Sequence, residues 1–405
     1  MPQATTKWTN WVGNQCFVPA GIRRVETEDE VVAAVASAAR EGRKIKTFGA
    51  GHSFTPVVET SGTLLDMSAL SGVIATDHTA CTATVWAPTP IHALGDALWA
   101  EGLALANQGD IDSQAIAGAI ATGTHGSGRT LGSFSAALTA ARLVDGHGEL
   151  RDLSMANNGD IFPAFQTAIG LLGIMTQVTI KVAPAYCLHE QIRVMHVDEV
   201  LARWDELLDG YRHFSFFWMP TDESAALYGF EPAPKDHCMV KLYREVPEGF
   251  DDIEPGDRVD RSYRIYPHVF EPNFHELEYF MALDRSREAF AAQRGLMLNS
   301  LPDSRFPLEV RFVAADGGWL SPFYKRPSIV MSISGTPGSD YWPYLRKADA
   351  LFDSYDGRPH WGKLHFMTPD RLARLFPRYE DFKALRRTID PQGLFLNPHL
   401  EPLFA

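Results

Sequence analysis

Cysteine is scarce in this chain: Cys16, Cys81, Cys187 and Cys238 stand far apart, with no Cys-x-x-Cys pair. That spacing argues against a zinc site and against a disulfide framework, and it leads us to expect no metal centre and a reduced, cytoplasmic, soluble protein. Clustered positive charge is missing too. The 37 Lys and Arg are outnumbered by 50 Asp and Glu, for a formal net charge of −13, whereas nucleic-acid binding is driven by concentrated cations. No nucleic-acid partner is expected. No apolar run reaches the roughly 18 residues of a membrane span, and Met1-Pro2-Gln3-Ala4-Thr5-Thr6-Lys7-Trp8 carries no apolar segment of a signal peptide. Internal repeats and low-complexity tracts are also absent.

What is present is ordinary globular composition, 45% hydrophobic and 21% charged, over 405 residues. That length exceeds what one core usually supports, so two domains are expected. Thr27 and Glu30 form a capping-box pattern ahead of Val31, Val32, Val35 and Ala39 at helical spacing. Short strands are predicted at Ile45 to Phe48, Leu64 to Asp66 and Thr84 to Trp86, and a helix with Pro90 at its first position. Leu138 to Val144 reads as a strand returning through Asp145-Gly146-His147-Gly148, Phe162 to Ile169 as a helix, and Ile174 to Val182 as a strand. Strands and helices without regular alternation predict an α+β fold. From Glu190 aromatics accumulate, as in Phe214 to Trp218, and the charged stretch from Glu231 to Pro272 reads as surface loop. Near the end, Phe376 to Ile389 reads as a helix and Asp390 to Pro398 as a turn and tail.

Two glycine-rich segments stand out. Gly49-Ala50-Gly51-His52-Ser53-Phe54 follows the strand that ends at Phe48, and its backbone N–H groups can converge on an anion such as a pyrophosphate. It lacks the Gly-Lys-Ser/Thr of a P-loop and the third glycine of the dinucleotide fingerprint. The plainer reading is a tight turn with a surface histidine. A second segment, Ala117 to Gly128, is rich in glycine and hydroxyl donors and can wrap a long polar ligand. Two such loops imply one extended ligand.

Together with Gly357-Arg358-Pro359-His360-Trp361-Gly362-Lys363, these segments resemble the vanillyl-alcohol-oxidase type of FAD enzyme, and within it the sugar-lactone and alditol oxidases. The resemblance runs from about Trp11 to Phe404 and implies a two-domain fold: an FAD-binding domain over residues 1–184, a substrate or cap domain with an antiparallel sheet over 185–375, and a segment, 376–405, returning to the first domain. It places a covalent FAD attachment on His52. It distributes further cofactor contacts over Thr47, Phe48, Gly49, Ala50, Gly51, Ser53, Gly109, Asp110, Ala115, Gly118, Thr122, Gly123, Thr124, His125, Ile174 and His360. His125 and Ser127 read as structural loop residues rather than catalysts.

Glu309 and Arg311 project from the same face of an alternating strand. Alone they could be a plain ion pair. In the resembled family such a pair lines the substrate site, where Glu309 can accept hydrogen bonds from sugar hydroxyls and Arg311 can stabilise developing negative charge. Lys363 is the expected proton acceptor, since a lysine near Arg311 and shielded from water loses proton affinity. An exposed lysine beside a packed tryptophan is the alternative. Ser332 and Ser334 stand where alditol oxidases carry histidine and threonine, which with the Glu309 to Phe312 and Phe395 to Asn397 stretches tilts the resemblance toward a lactone substrate; Asp110, where alditol oxidases carry serine, departs from them in the detail of substrate binding. In the resembled family a residue at the Gly109 position lies over the flavin edge, where a small side chain leaves oxygen a path, so the resemblance implies that Gly109 favours an oxidase. The expected activity is FAD-dependent oxidation of a small sugar lactone, L-gulono-1,4-lactone first, by hydride transfer to flavin N5, with O2 as acceptor giving H2O2. The alternatives are an alditol oxidase, or the same lactone chemistry as a dehydrogenase with a cytochrome or quinone acceptor.

Overall fold

In the computed structural model, which describes residues 6–267, 273–301 and 303–405, Thr27 opens the first long helix as its capping box requires. Thr27 Oγ1 accepts from Glu30 N at 3.3 Å, and Glu30 Oε2 accepts from Glu26 N at 2.7 Å. The helix, Glu28–Glu41, ends at Gly42, whose φ of 61° is the left-handed turn that glycine permits. Its buried Val31, Ala34, Val35 and Ala38 pack on Ile45, Leu65 and Met67. Ile45 and Leu65 belong to a three-stranded parallel sheet in the order Gly21–Arg24, Thr63–Asp66, Ile45–Phe48. Leu394 and Phe395, from the far end of the chain, complete the cluster. Ile45 N donates to Leu394 O at 3.1 Å, and Lys44 Nζ to Gly393 O at 2.7 Å.

Beside it lies a six-stranded sheet built around Ile174–Pro184, which pairs with Leu138–Val144, Thr82–Trp86 and Leu103–Leu105. Leu150–Ser154 returns on Leu138–Val144 as the expected hairpin. Three sequence readings shift here. Phe162–Thr167 is a 3-10 helix that stops before Ile169, because Ile169 and Gly170 both take positive φ, 53° and 66°. Pro90 caps the helix Ile91–Ala100 from outside, with an extended ψ of 142°. The C-terminal helix starts at Tyr379, since Phe376 already ends a separate helix, Pro369–Leu375.

The second half is one eight-stranded antiparallel sheet, in the order Arg258–Arg261, Cys187–His196, His237–Val246, His213–Trp218, Leu308–Val313, Ser328–Gly335, His275–Ala282, Arg358–Pro359. Two of these strands overturn the reading of Glu231 to Pro272 as surface loop; its end, at 268–272, lies outside the described residues, as do Met1–Thr5 and Pro302. The reason is period-two alternation hidden among charges: Cys238, Val240 and Leu242 enter the main core, while Met239, Lys241 and Tyr243 take the opposite face.

The same alternation runs through the neighbouring strands. Leu308, Val310 and Phe312, Leu277, Tyr279 and Met281, and Ile329, Met331 and Ile333 all join one apolar core. That core includes Phe290 and Leu345 from the helices Ser286–Leu298 and Trp342–Asp353. Glu309, Arg311, Glu276, Glu278, Ser332 and Ser334 are left on the other face. That face is also covered, because the second glycine-rich segment docks on it. Gly128 N donates to Phe312 O at 2.7 Å, Ser127 Oγ accepts from Phe312 N at 3.2 Å and donates to Phe214 O, and His213 Nδ1 meets Ser127 O at 2.6 Å. A Cβ at Gly126 would lie 1.8 Å from Gln108 O, so only glycine lets the segment lie this close. Ser127→Ala leaves the buried Phe312 N–H without its partner, and thermal or denaturant unfolding is expected to show a loss of about 1–3 kcal/mol; a loss within error would mean that the loop is held elsewhere.

Candidate active site

Two cavities meet where the halves of the chain adjoin. The first encloses about 1600 Å³ including its open mouth and the solvent there. Its walls are the first glycine turn, the helix Ile116–Thr122 that starts the second glycine-rich segment, and the Gly170–Met175 stretch. Of the residues expected to touch a cofactor, Thr47, Phe48, Gly49, Ala50, Gly51, His52, Ser53, Ala115, Gly118, Thr122, Ile174 and His360 line it. Gly109, Asp110, Thr124 and His125 line the second cavity instead. Gly123 lines neither; it ends the helix Ile116–Thr122 with φ 83°.

The polar groups of the first cavity fit a dinucleotide. Gly49 sits so close to Ala115 that a Cβ would fall 2.7 Å from its methyl, while Gly118 faces open space. Lys46 Nζ, His52 Nδ1 and Gln114 Oε1 are buried on its wall with no hydrogen-bond partner among the described residues, which is the state of groups awaiting a polar ligand. His52 is held by Ser113 Oγ at 2.8 Å from Nε2 and by Trp11, which stacks on it at 4.9 Å. Burial, then the nearby Lys363, lower its pKa to about 4, so the imidazole is neutral.

The second cavity, about 1190 Å³ with its opening, shares Trp11, Ile111, Gln114, Phe274, His360 and Lys363 with the first. Lys363 and His360 reach it because their segment is tied at both sides. Phe54 N donates to Gly362 O at 2.7 Å and Thr55 Oγ1 to Trp361 O at 2.8 Å, while His360 N and Leu364 N donate to Glu278 O and Glu276 O at 3.0 and 2.8 Å. Gly362 N donates to His360 Nδ1 at 3.0 Å, and burial lowers this histidine's pKa to about 3, so His360 is neutral.

Charge fills the floor of this chamber. Arg311 pairs with both Glu309 and Asp110, Asp110 also pairs with Lys241 at 3.0 Å, Lys363 pairs with Glu276, and His125 Nε2 lies 3.2 Å from Glu278. Oxygens of Glu276, Glu278 and Glu309 all lie within 4.8 Å of one another. Four carboxyl groups thus face three fixed cations, and burial raises the pKa of Glu276 as it does that of Glu309. The burial of Glu309, with Asp110, Glu276 and Glu278 acting against Arg311, raises its pKa to about 7.

The argument for Lys363 as a neutral base fails on this geometry. Burial does oppose its charge, but Glu276, Glu278 and Glu309 outweigh burial, and its pKa rises above the ordinary lysine value. Ser332 and Ser334 stand one layer behind the wall: Ser332 Oγ donates to Glu278, and Ser334 Oγ lies 3.0 Å from the hydroxyl of Tyr228, which does line the chamber. Sequence reasoning missed Glu276, Glu278, Lys241, Tyr228 and Phe230. Glu276-Leu277-Glu278-Tyr279 alternates as Glu309-Val310-Arg311-Phe312 does, and that was the available signal.

A cavity lined by two glycine-rich segments and unpartnered polar groups, opening beside a chamber of paired acids and bases, is the arrangement of a cofactor-dependent enzyme. The model of the FAD binding domain matches residues 19–154, and that of D-arabinono-1,4-lactone oxidase matches 178–243 and 237–403. L-gulono-1,4-lactone dehydrogenase of Mycobacterium tuberculosis is 32% identical over 97% of each chain, and L-gulonolactone oxidase of Bos taurus 26% identical over 98% of each. The chain belongs to the D-arabinono-1,4-lactone oxidase family and is an FAD-dependent flavoprotein. Cholesterol oxidase from Brevibacterium sterolicum shares the fold, with a TM-score of 0.84 at 16% identity over 98% of this chain and 96% of that one. No helix among the described residues is long and apolar enough to cross a membrane.

Replacing Glu276 with Gln removes the main anion holding the Lys363 proton. Lysine-selective NMR titration is expected to show the Lys363 pKa falling, and an unmoved titration would contradict the pairing.

Proposed function

We propose that this flavoprotein oxidises a carbinol carbon of a small aldonolactone, L-gulono-1,4-lactone foremost, with O2 as the electron acceptor. The observation that carries the reading is the make-up of the second cavity. Its floor is the Glu309, Arg311 and Lys363 cluster, and its walls are Trp11, Phe217, Tyr228, Phe230 and Phe274. Flat apolar walls over a charged floor suit a compact ring with C–H faces and hydroxyl edges better than an extended polyol. The names of the mycobacterial and bovine relatives support the same substrate class.

Bound FAD, held by the residues of the first cavity, would supply the hydride acceptor for the carbinol carbon. The residues of the chain handle the other half of the bond change. The hydroxyl proton passes to the Glu309 carboxylate, the oxygen's electron pair forms the carbonyl, and the Arg311 guanidinium and Lys363 ammonium stabilise negative charge developing on that oxygen. Glu309 suits the role because its pKa of about 7 leaves it able both to accept the proton and to release it. Gly109 lines the chamber, and by the resemblance to the family a small residue at this place would leave oxygen a path to the flavin, which supports oxygen as acceptor. The neutral His52, with Nδ1 unpartnered on the cofactor wall, supports a covalent link to the flavin. Acid-denatured protein is expected to keep its yellow colour on the peptide containing His52; free flavin in the supernatant would remove the tether.

Anaerobic mixing with lactones and alditols, followed by air, tests the activity. Lactones are expected to bleach the flavin faster than xylitol, and air is expected to restore the colour rapidly. The reverse order of substrates would favour the alditol reading, and slow recovery in air a dehydrogenase. Because an acceptor carboxyl must be ionised, the reduction rate is expected to rise with pH through about 7 and level off above it. Glu309→Gln should abolish that rise and lower the rate about 10²-fold or more; a retained pH limb would move the role to another group.

A further inference from the structure

Lys46 is the buried titratable group that the proposed chemistry leaves without a use. It lies in the strand Ile45–Phe48, three residues before the first glycine turn, and is only 4% exposed. It lines the first cavity, and its Nζ has no hydrogen-bond partner among the described residues. Burial lowers its pKa to about 7; Asp390 opposes that shift from a distance, and Lys44 adds to it. The carboxylate of Asp390 is already engaged by the backbone N–H groups of Leu394 and Phe395, at 2.8 and 3.0 Å.

The composition of the wall sharpens the point. No Asp or Glu is among the described residues that line this cavity, and its two lysines are Lys46 and Lys363. Lys363 is paired with Glu276. A buried ammonium without a counter-charge is unfavourable, and an unpaired one on a cavity wall is completed by an anion within the cavity. The anionic group that FAD brings is its pyrophosphate.

We propose that Lys46 is a cofactor-binding residue whose ammonium contacts an oxygen of the FAD pyrophosphate, supplementing the backbone N–H groups of the glycine turn. The contact supplies the charge that the neutral turn lacks, and it acts on binding rather than on hydride transfer. The inference rests on the flavin site and is independent of which sugar is oxidised.

The test uses full-length protein carrying His52→Ala, so that flavin binding is reversible, and titrates the apoprotein with FAD. Adding Lys46→Met is expected to raise the Kd for FAD about tenfold or more and to displace the phosphorus NMR resonances of the bound pyrophosphate. An unchanged Kd would overturn the proposal. So would a raised Kd with unmoved phosphorus resonances and an altered flavin potential, which would put Lys46 at the ring. Lys46→Arg keeps the charge in a different geometry and covers the case in which the methionine variant does not fold. Its flavin-loaded form is expected to show displaced phosphorus resonances, and unmoved ones would count against the contact.

Discussion

The structure depends on a sheet face that is buried and yet charged. Glu276, Glu278 and Glu309 occupy alternate positions on two strands of the eight-stranded sheet, each 6% exposed or less. Isolated carboxylates at that depth would be strongly disfavoured. Arg311 and Lys363 pair with Glu309 and Glu276, His125 Nε2 lies 3.2 Å from Glu278, and Lys241 pairs with the neighbouring Asp110. With Asp110 counted, four carboxyls face the three cations Arg311, Lys363 and Lys241, and burial raises the pKa of both Glu276 and Glu309. The property that suits Glu309 to accept a substrate proton is therefore a consequence of the same burial that forces the pairing.

That network also explains why the chain must fold as it does around the site. His125 comes from the second glycine-rich segment, Lys363 from a segment that hydrogen-bonds to the first, and both meet the sheet at the strand His275–Ala282. The glycines matter because each close approach is made by backbone. Gly126 has no room for a Cβ against Gln108, and Gly49 has none against Ala115. Cofactor cavity and substrate chamber share a wall as a result, and the shared wall holds Lys363 and His360.

Much of the frame could be read from local chemistry. Capping at Thr27, the strand before Gly49, the hairpin at Asp145 and the alternation of Glu309 with Arg311 are all set by neighbouring residues, and each appears where its residues place it. The readings that moved were those in which local signals conflicted. Phe162–Thr167 lost its α-helical continuation to a left-handed Ile169, and His237–Val246 was disguised by the charges that alternate with its apolar positions.

The sequence by itself determined the α+β class, the two glycine-rich turns that a dinucleotide needs, and the residue types on each strand face, because these follow from backbone sterics and period-two alternation between near neighbours. The tertiary structure alone decided which charges meet. Lys363 and Glu276 are 87 residues apart in the chain, and no local rule could show that the lysine would be held as an ammonium rather than released as a base. A side chain's protonation is fixed by the charges and the solvent around it, and those are assembled only when distant segments pack together.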